Sequence, residues 1–155
     1  MIYLDNAATT FKKPNSVYDA VIDCMKNYGA NPGRGSHKLA MKASRKIYET
    51  RENIAKLFNI DNPMNIIFTS GATESLNLAV KGIVKEGDHI ITTSMEHNSV
   101  IRPIKTLEKY GISNTIVNCE EDGSLDVKKL EKEIKENTKL IVTTHASNVC
   151  GTLID

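Results

Sequence analysis

Apolar and polar positions follow a repeating order along this chain: a short apolar run, a turn, then a stretch with apolar residues at helical spacing. From position 65 onward the apolar runs are Asn65-Ile66-Ile67-Phe68, Asp88-His89-Ile90-Ile91-Thr92-Thr93, Thr115-Ile116-Val117 and Lys139-Leu140-Ile141-Val142-Thr143-Thr144. Short apolar runs bounded by turn residues suit buried strands. Between them lies a helix after Gly71 that is apolar almost all round. A second covers 99–110, with Val100, Ile101, Ile104, Leu107 and Tyr110 inward and Pro103 tolerated in the first turn. A third covers 126–137, with Val127, Leu130 and Ile134 inward. Strand and helix alternating in this way predict an α/β fold, a mostly parallel sheet with helices on its faces.

The first sixty residues have a different pattern. A short strand at Ile2-Tyr3-Leu4 precedes a helix over 16–28 whose one face carries Val17, Ala20, Val21, Cys24, Met25 and Tyr28. Ser16 and Asp19 stand in capping-box spacing at its start. A glycine-containing loop ends in Ser36 as a cap, and a long helix follows over 37–58. Its stripe of Leu39, Ala43, Ile47, Ile54, Leu57 and Phe58 is interrupted by Arg51-Glu52, a turn expected to face solvent or a partner chain. The chain thus divides into 1–60, a segment with two helices, and 61–155, the start of an α/β domain.

The most informative stretch is Thr69-Ser70-Gly71-Ala72-Thr73-Glu74-Ser75, where an apolar run gives way to hydroxyl residues and a helix. A helix N-terminus offers unpaired backbone N–H groups and a partial positive charge, so an anion fits there. Gly71 lets the backbone turn and approach closely, and Ser70, Thr73 and Ser75 add donors. The segment lacks the glycine spacing of a dinucleotide site and the lysine of a P-loop. From these residues alone, an anion cradle and a merely capped helix both remain open. Two further runs also end in polar residues, Ser94-Met95-Glu96-His97-Asn98-Ser99 and His145-Ala146-Ser147-Asn148-Val149-Cys150-Gly151. The carboxyl edge of an open α/β sheet is where ligands bind.

Composition narrows the field. Of the 155 residues 40% are apolar, enough for a core, and a formal net charge of +1 gives no nucleic-acid signature. There is no apolar run of about 18 residues and no signal region after Met1-Ile2-Tyr3-Leu4-Asp5, so neither a membrane span nor an export signal is read. Cys24, Cys119 and Cys150 lack metal or redox spacing and argue for a reducing, cytoplasmic compartment.

The set Tyr3-Leu4-Asp5-Asn6-Ala7-Ala8-Thr9-Thr10, Asn31-Pro32-Gly33-Arg34-Gly35-Ser36-His37, Thr69-Ser70-Gly71-Ala72-Thr73-Glu74, Met95-Glu96-His97-Asn98 and Ser147-Asn148-Val149-Cys150-Gly151-Thr152 resembles the class V aminotransferase family of pyridoxal-phosphate enzymes. Within it the chain looks most like the cysteine desulfurase and selenocysteine lyase group. The five motifs span the whole chain in the family's order. The resemblance implies a fold-type I large domain, incomplete here. It also implies that the lysine holding the cofactor, the aspartate at the pyridine nitrogen, the arginine for the substrate carboxylate and the sulfur-accepting cysteine all lie beyond Asp155. The 155-residue chain is then the N-terminal part of an enzyme and inactive alone.

Carried over residue by residue, the resemblance implies that Ala72 and Thr73 hold the phosphate of pyridoxal 5'-phosphate. It implies that His97 stacks on the ring and moves protons, and that Asn148 donates to the phenolic oxygen. Ala8 would lie near the substrate carboxylate. Arg34 would meet an acidic group on the substrate or a partner chain, the loop 31–37 reaching the neighbouring protomer of a homodimer. Equally, Gly33 and Gly35 only shape a tight connection. His37, His89 and His145 are read as satisfied structural histidines, and Cys150 as a small buried hydrophobe. The implied activity of the complete protein is removal of sulfur from L-cysteine, leaving L-alanine and an enzyme persulfide, with a sulfur-acceptor protein as partner. Alternatives are action on L-selenocysteine, an epimerase or amine-transfer enzyme, and, from another class, a non-catalytic phosphate-ligand module.

Overall fold

The computed structural model describes residues 1–154, which form two compact units, one from Met1 to Phe68 and one beginning at Thr69.

In the first unit, α1 (Asn15–Asn27) starts directly after Pro14, whose side chain makes no capping bond. Ser16 therefore sits inside the first turn, and the expected Ser16–Asp19 capping box does not form. The helix ends at Tyr28, a buried ring with the Lys42 ammonium 4.8 Å from its centre. The long helix α2 (Lys38–Leu57) is capped by His37 rather than Ser36, its Nδ1 accepting the Ala40 N–H at 3.3 Å. Arg51 does not face solvent freely as expected. Its guanidinium donates to the Ile66 carbonyl and lies 5.0 Å from the centre of the Phe68 ring.

Two expected strands are absent. Ile2-Tyr3-Leu4 and Ile66-Ile67-Phe68 are not strands, because no neighbouring strand among the described residues takes up their N–H and C=O groups. The first folds locally: the Tyr3 hydroxyl donates to the Thr9 carbonyl at 2.9 Å, and its ring lies 5.3 Å from that of Phe11. The second follows a 3-10 turn, Pro63–Asn65, and leaves Ile67 and Phe68 exposed.

The second unit runs α3 (Ala72–Ile83), β1 (His89–Thr93), α4 (Asn98–Leu107) with a 3-10 turn at Glu108–Tyr110, β2 (Ser113–Val117), α5 (Val127–Lys132) and β3 (Thr138–Val142). The expected parallel sheet is present, with all pairings parallel in the order β2-β1-β3. The chain leaves β1 on one side and returns on the other, so right-handed crossovers place α4 and α5 on opposite faces. The core follows that geometry. Ile90 packs with Val80, Val84, Val100, Ile104, Leu107 and Ile112, whereas its neighbour Ile91 packs with Val117 and Leu130.

Four expectations need correction here. Tyr110, expected inward on the helix over 99–110, is exposed in the 3-10 turn after α4. The helix α3 is not enclosed, since Val80 is buried while Leu78 and Ile83 are exposed. β3 is an edge strand among the described residues, with Ile141 exposed, rather than a fully buried run. The helix over 126–137 stops at Lys132, and Val127 and Ile134 stay exposed. The end tightens, with the Glu133 and Ile134 N–H groups on the carbonyls three residues back at 3.0 and 3.2 Å, and a separate turn follows in which the Thr138 hydroxyl takes the Lys135 N–H at 2.8 Å.

Candidate anion and cofactor site

The start of α3 is left open. Its N-cap, Gly71, offers no side-chain acceptor, and the N–H groups of Ala72 and Thr73 meet no protein acceptor among the described residues. Neither Ser70 nor Thr73 caps the helix. Ser70 instead donates its N–H and hydroxyl to Glu74, both at 2.7 Å, which holds the Glu74 carboxyl below its usual range. Gly71 is extended rather than turned, at φ 163°, and a Cβ there would meet nothing within 4 Å. Unpaired donors with open space before them fit a phosphate group.

Thr73 shares a cleft with His97. The cleft, about 230 Å³, runs between the stripe Thr73, Asn77 and Lys81 on α3 and the start of α4, where Ser99 and Arg102 line it. It holds two cationic side chains and no carboxylate. Lys81, Asn77 and Arg102 were not singled out from the sequence, although the spacing of 73, 77 and 81 is a helical one.

His97 is the N-cap of α4, with Nδ1 accepting the Ser99 N–H at 3.1 Å. A backbone N–H can only donate, so a neutral His97 ring carries its proton on Nε2. Glu96, the residue before His97, turns away from it. Its Oε1 accepts the Thr93 hydroxyl at 2.9 Å and the Thr144 N–H at 2.7 Å, joining the carboxyl ends of β1 and β3. The Thr93-to-Glu96 spacing was visible in the sequence, but the Thr144 partner lies too far along the chain.

Asn148 is exposed at the tip of a turn that Ser147 organises. The buried Ser147 hydroxyl accepts the N–H groups of Val149 and Cys150 at 3.2 and 3.3 Å, and its carbonyl accepts the Gly151 N–H at 3.0 Å. Gly151, at φ 73°, occupies the left-handed region, which explains a glycine at the end of this motif. An antiparallel bridge between Ala146 and Leu153 closes the base. Cys150 is exposed, contrary to the expected buried position, and bonding to Ser147 and Thr152 holds its thiol at about 7.

The other histidines are satisfied structurally, as expected. His89 is fully buried between Thr138 and Thr115, each at 2.9 Å, and His145 Nδ1 bonds the Ile154 carbonyl at 3.1 Å. Ala8 and Arg34 lie in the first unit, both exposed. The Ala8 N–H closes a turn on the Asp5 carbonyl at 3.1 Å. Among the described residues no cluster of His, Cys, Asp and Glu could hold a metal ion, and no helix is long and apolar enough to cross a membrane.

The sequence pattern of the family Aminotransferase class-V matches residues 2–155. Cysteine desulfurase IscS of Stutzerimonas stutzeri is 38% identical over 160 residues, a match covering 99% of this chain and 39% of that protein. An apo cysteine desulfurase structure from Thermococcus onnurineus superposes with a TM-score of 0.90 at 35% identity, over 99% of this chain and 39% of the other. A structure described as SspA in complex with cysteine gives 0.87 at 33% identity, over 98% and 44%. The chain spans about two-fifths of the length of the curated relatives it matches. Its α/β architecture is that of part of a cysteine desulfurase domain, a parallel sheet with flanking helices. With the family's pattern running through nearly every residue and the same backbone arrangement in solved relatives, the chain belongs to the class V aminotransferase family.

Proposed function

We propose that the complete polypeptide is a pyridoxal-phosphate-dependent cysteine desulfurase that converts L-cysteine to L-alanine and passes the sulfur through an enzyme persulfide to an acceptor protein. The observation that carries this reading is the uncapped N-terminus of α3 opening on the cleft that holds His97, in a chain whose relatives bear that activity in their names. Bound pyridoxal phosphate would supply an electron sink for bond breaking in the amino-acid substrate.

The chain's own residues would bind and orient. The Ala72 and Thr73 N–H groups, with the Thr73 hydroxyl, take the phosphate. The His97 ring would stack on the pyridine and would hold a proton on Nε2, because Nδ1 is taken by Ser99. The side-chain amide of Asn148 donates to the phenolic oxygen and favours its anionic form. Ala8 and Arg34 belong to the substrate side, Arg34 reaching a neighbouring protomer of a homodimer. The free thiols of Cys24, Cys119 and Cys150 suit a cytoplasmic protein.

The test is cofactor uptake by the complete protein after removal of any bound cofactor. Pyridoxal phosphate should bind at least about tenfold more tightly than pyridoxal, since the charge-assisted bonds go to the phosphate. Equal affinity for the two would contradict the cradle.

A further inference from the structure

The sheet ladder between β1 and β3 ends at Thr92↔Val142, and the Thr92 hydroxyl closes it on the Val142 carbonyl at 3.0 Å. Beyond that point the two strands are no longer paired in the ladder. One runs through the turn at Ser94 to His97, the other through Thr144 to the Asn148 turn. Nothing in the ladder fixes the separation of these two arms, yet the half-buried Glu96 does so with a single oxygen. Its Oε1 accepts the Thr144 N–H at 2.7 Å in place of a ladder acceptor and the Thr93 hydroxyl at 2.9 Å. The Thr93 hydroxyl accepts the Met95 N–H at 3.3 Å, so the whole turn from β1 to α4 is tied to the same carboxylate.

We infer that Glu96 is a positioning residue that sets the distance between His97 and Asn148 across the point where the strand order reverses. The inference rests on the proposed cofactor roles of those two residues. One side-chain oxygen on the β1 arm thus holds a backbone N–H of the β3 arm and is itself steadied by the Thr93 hydroxyl. Asn148 lies four residues past Thr144, in the turn that Ser147 and Gly151 close, so a loosened Thr144 moves the donor meant for the phenolic oxygen. His97 is adjacent in sequence and would shift with the same release.

The experiment compares the complete protein with its Glu96→Gln and Glu96→Ala variants by amide hydrogen exchange at Thr144 and by uptake and absorption of added pyridoxal phosphate. Glutamine keeps an oxygen that can accept both bonds, so it should stay near the parent in both readouts. Alanine should speed Thr144 exchange at least about tenfold, weaken cofactor uptake several-fold and shift the absorption of bound cofactor, with exchange at Ile90 and Ile104 unchanged. Unchanged Thr144 exchange in the alanine variant would overturn the brace. Faster exchange with unaltered uptake and absorption would overturn the positioning role. If the unmutated protein takes up no cofactor, the proposed function fails and the positioning role with it, while Thr144 exchange still reads the brace separately.

Discussion

His97 Nδ1 accepts the backbone N–H of Ser99 at 3.1 Å, so one ring nitrogen caps α4 and the cap leaves Nε2 unengaged. The two roles separate by substitution. His97→Ala should cost about 1 kcal/mol of helix stability as well as cofactor retention. His97→Asn should keep the cap and the melting temperature yet still lose retention and turnover, because it has no ring to stack. Turnover at parent level in the asparagine variant would show that His97 acts only as a cap.

Among the described residues the exposed Asn148 side chain makes no hydrogen bond, so its replacement should leave folding intact. If Asn148 donates to the phenolic oxygen as proposed, Asn148→Ala removes that donor and the neighbouring proton is held more tightly. The apparent pKa read from absorption against pH should rise by roughly one unit. An unmoved titration would remove Asn148 from the site.

His89 predicts the pH dependence of stability. Burial, and then the Lys135 ammonium 3.5 Å away, push its pKa below the ordinary histidine value, with Glu133 opposing weakly. The unfolded chain therefore binds the proton more readily than the folded one. This contribution to stability is complete above about pH 6.5 and is lost as pH falls toward the folded value. Denaturation midpoints of the complete protein between about pH 7 and pH 5 should drop less steeply in His89→Gln. An equal slope in both would assign the acid sensitivity to other groups.

The packing account is checked at Ile104, which is 1% exposed between α4 and the sheet. Ile104→Ala should destabilise by about 2–5 kcal/mol, through lost burial and the cavity left behind. A change within a few tenths, measured by chemical denaturation, would mean that this face is not a fixed core.

Arg34 tests the shared site. If it acts across a homodimer, mixing protomers lacking Arg34 with protomers lacking the cofactor-holding lysine should restore one working site per hybrid. Activity no higher than in either parent would place Arg34 in its own protomer or outside the site.

Local pattern made much of this legible. The strand centred on Ile90 and Ile91 and the helix with Val100, Ile104 and Leu107 show in short windows of sequence, while the roles proposed for Thr73, His97 and Asn148 come from the family's motifs. What stayed hidden depends on distant partners. Ile66 to Phe68 is apolar enough for a strand but lacks a neighbour to pair with among the described residues. The brace at Glu96 hangs on an amide almost fifty positions away. Spacing carries no trace of such pairs.

The most direct measurement of the central claim is release of L-alanine from L-cysteine by the complete protein loaded with pyridoxal phosphate and supplied with excess thiol reductant. The account predicts stoichiometric L-alanine and sulfide, strongly reduced in the His97→Asn variant. L-alanine formed only from L-selenocysteine, or an amino acid returned with its sulfur intact, would contradict it.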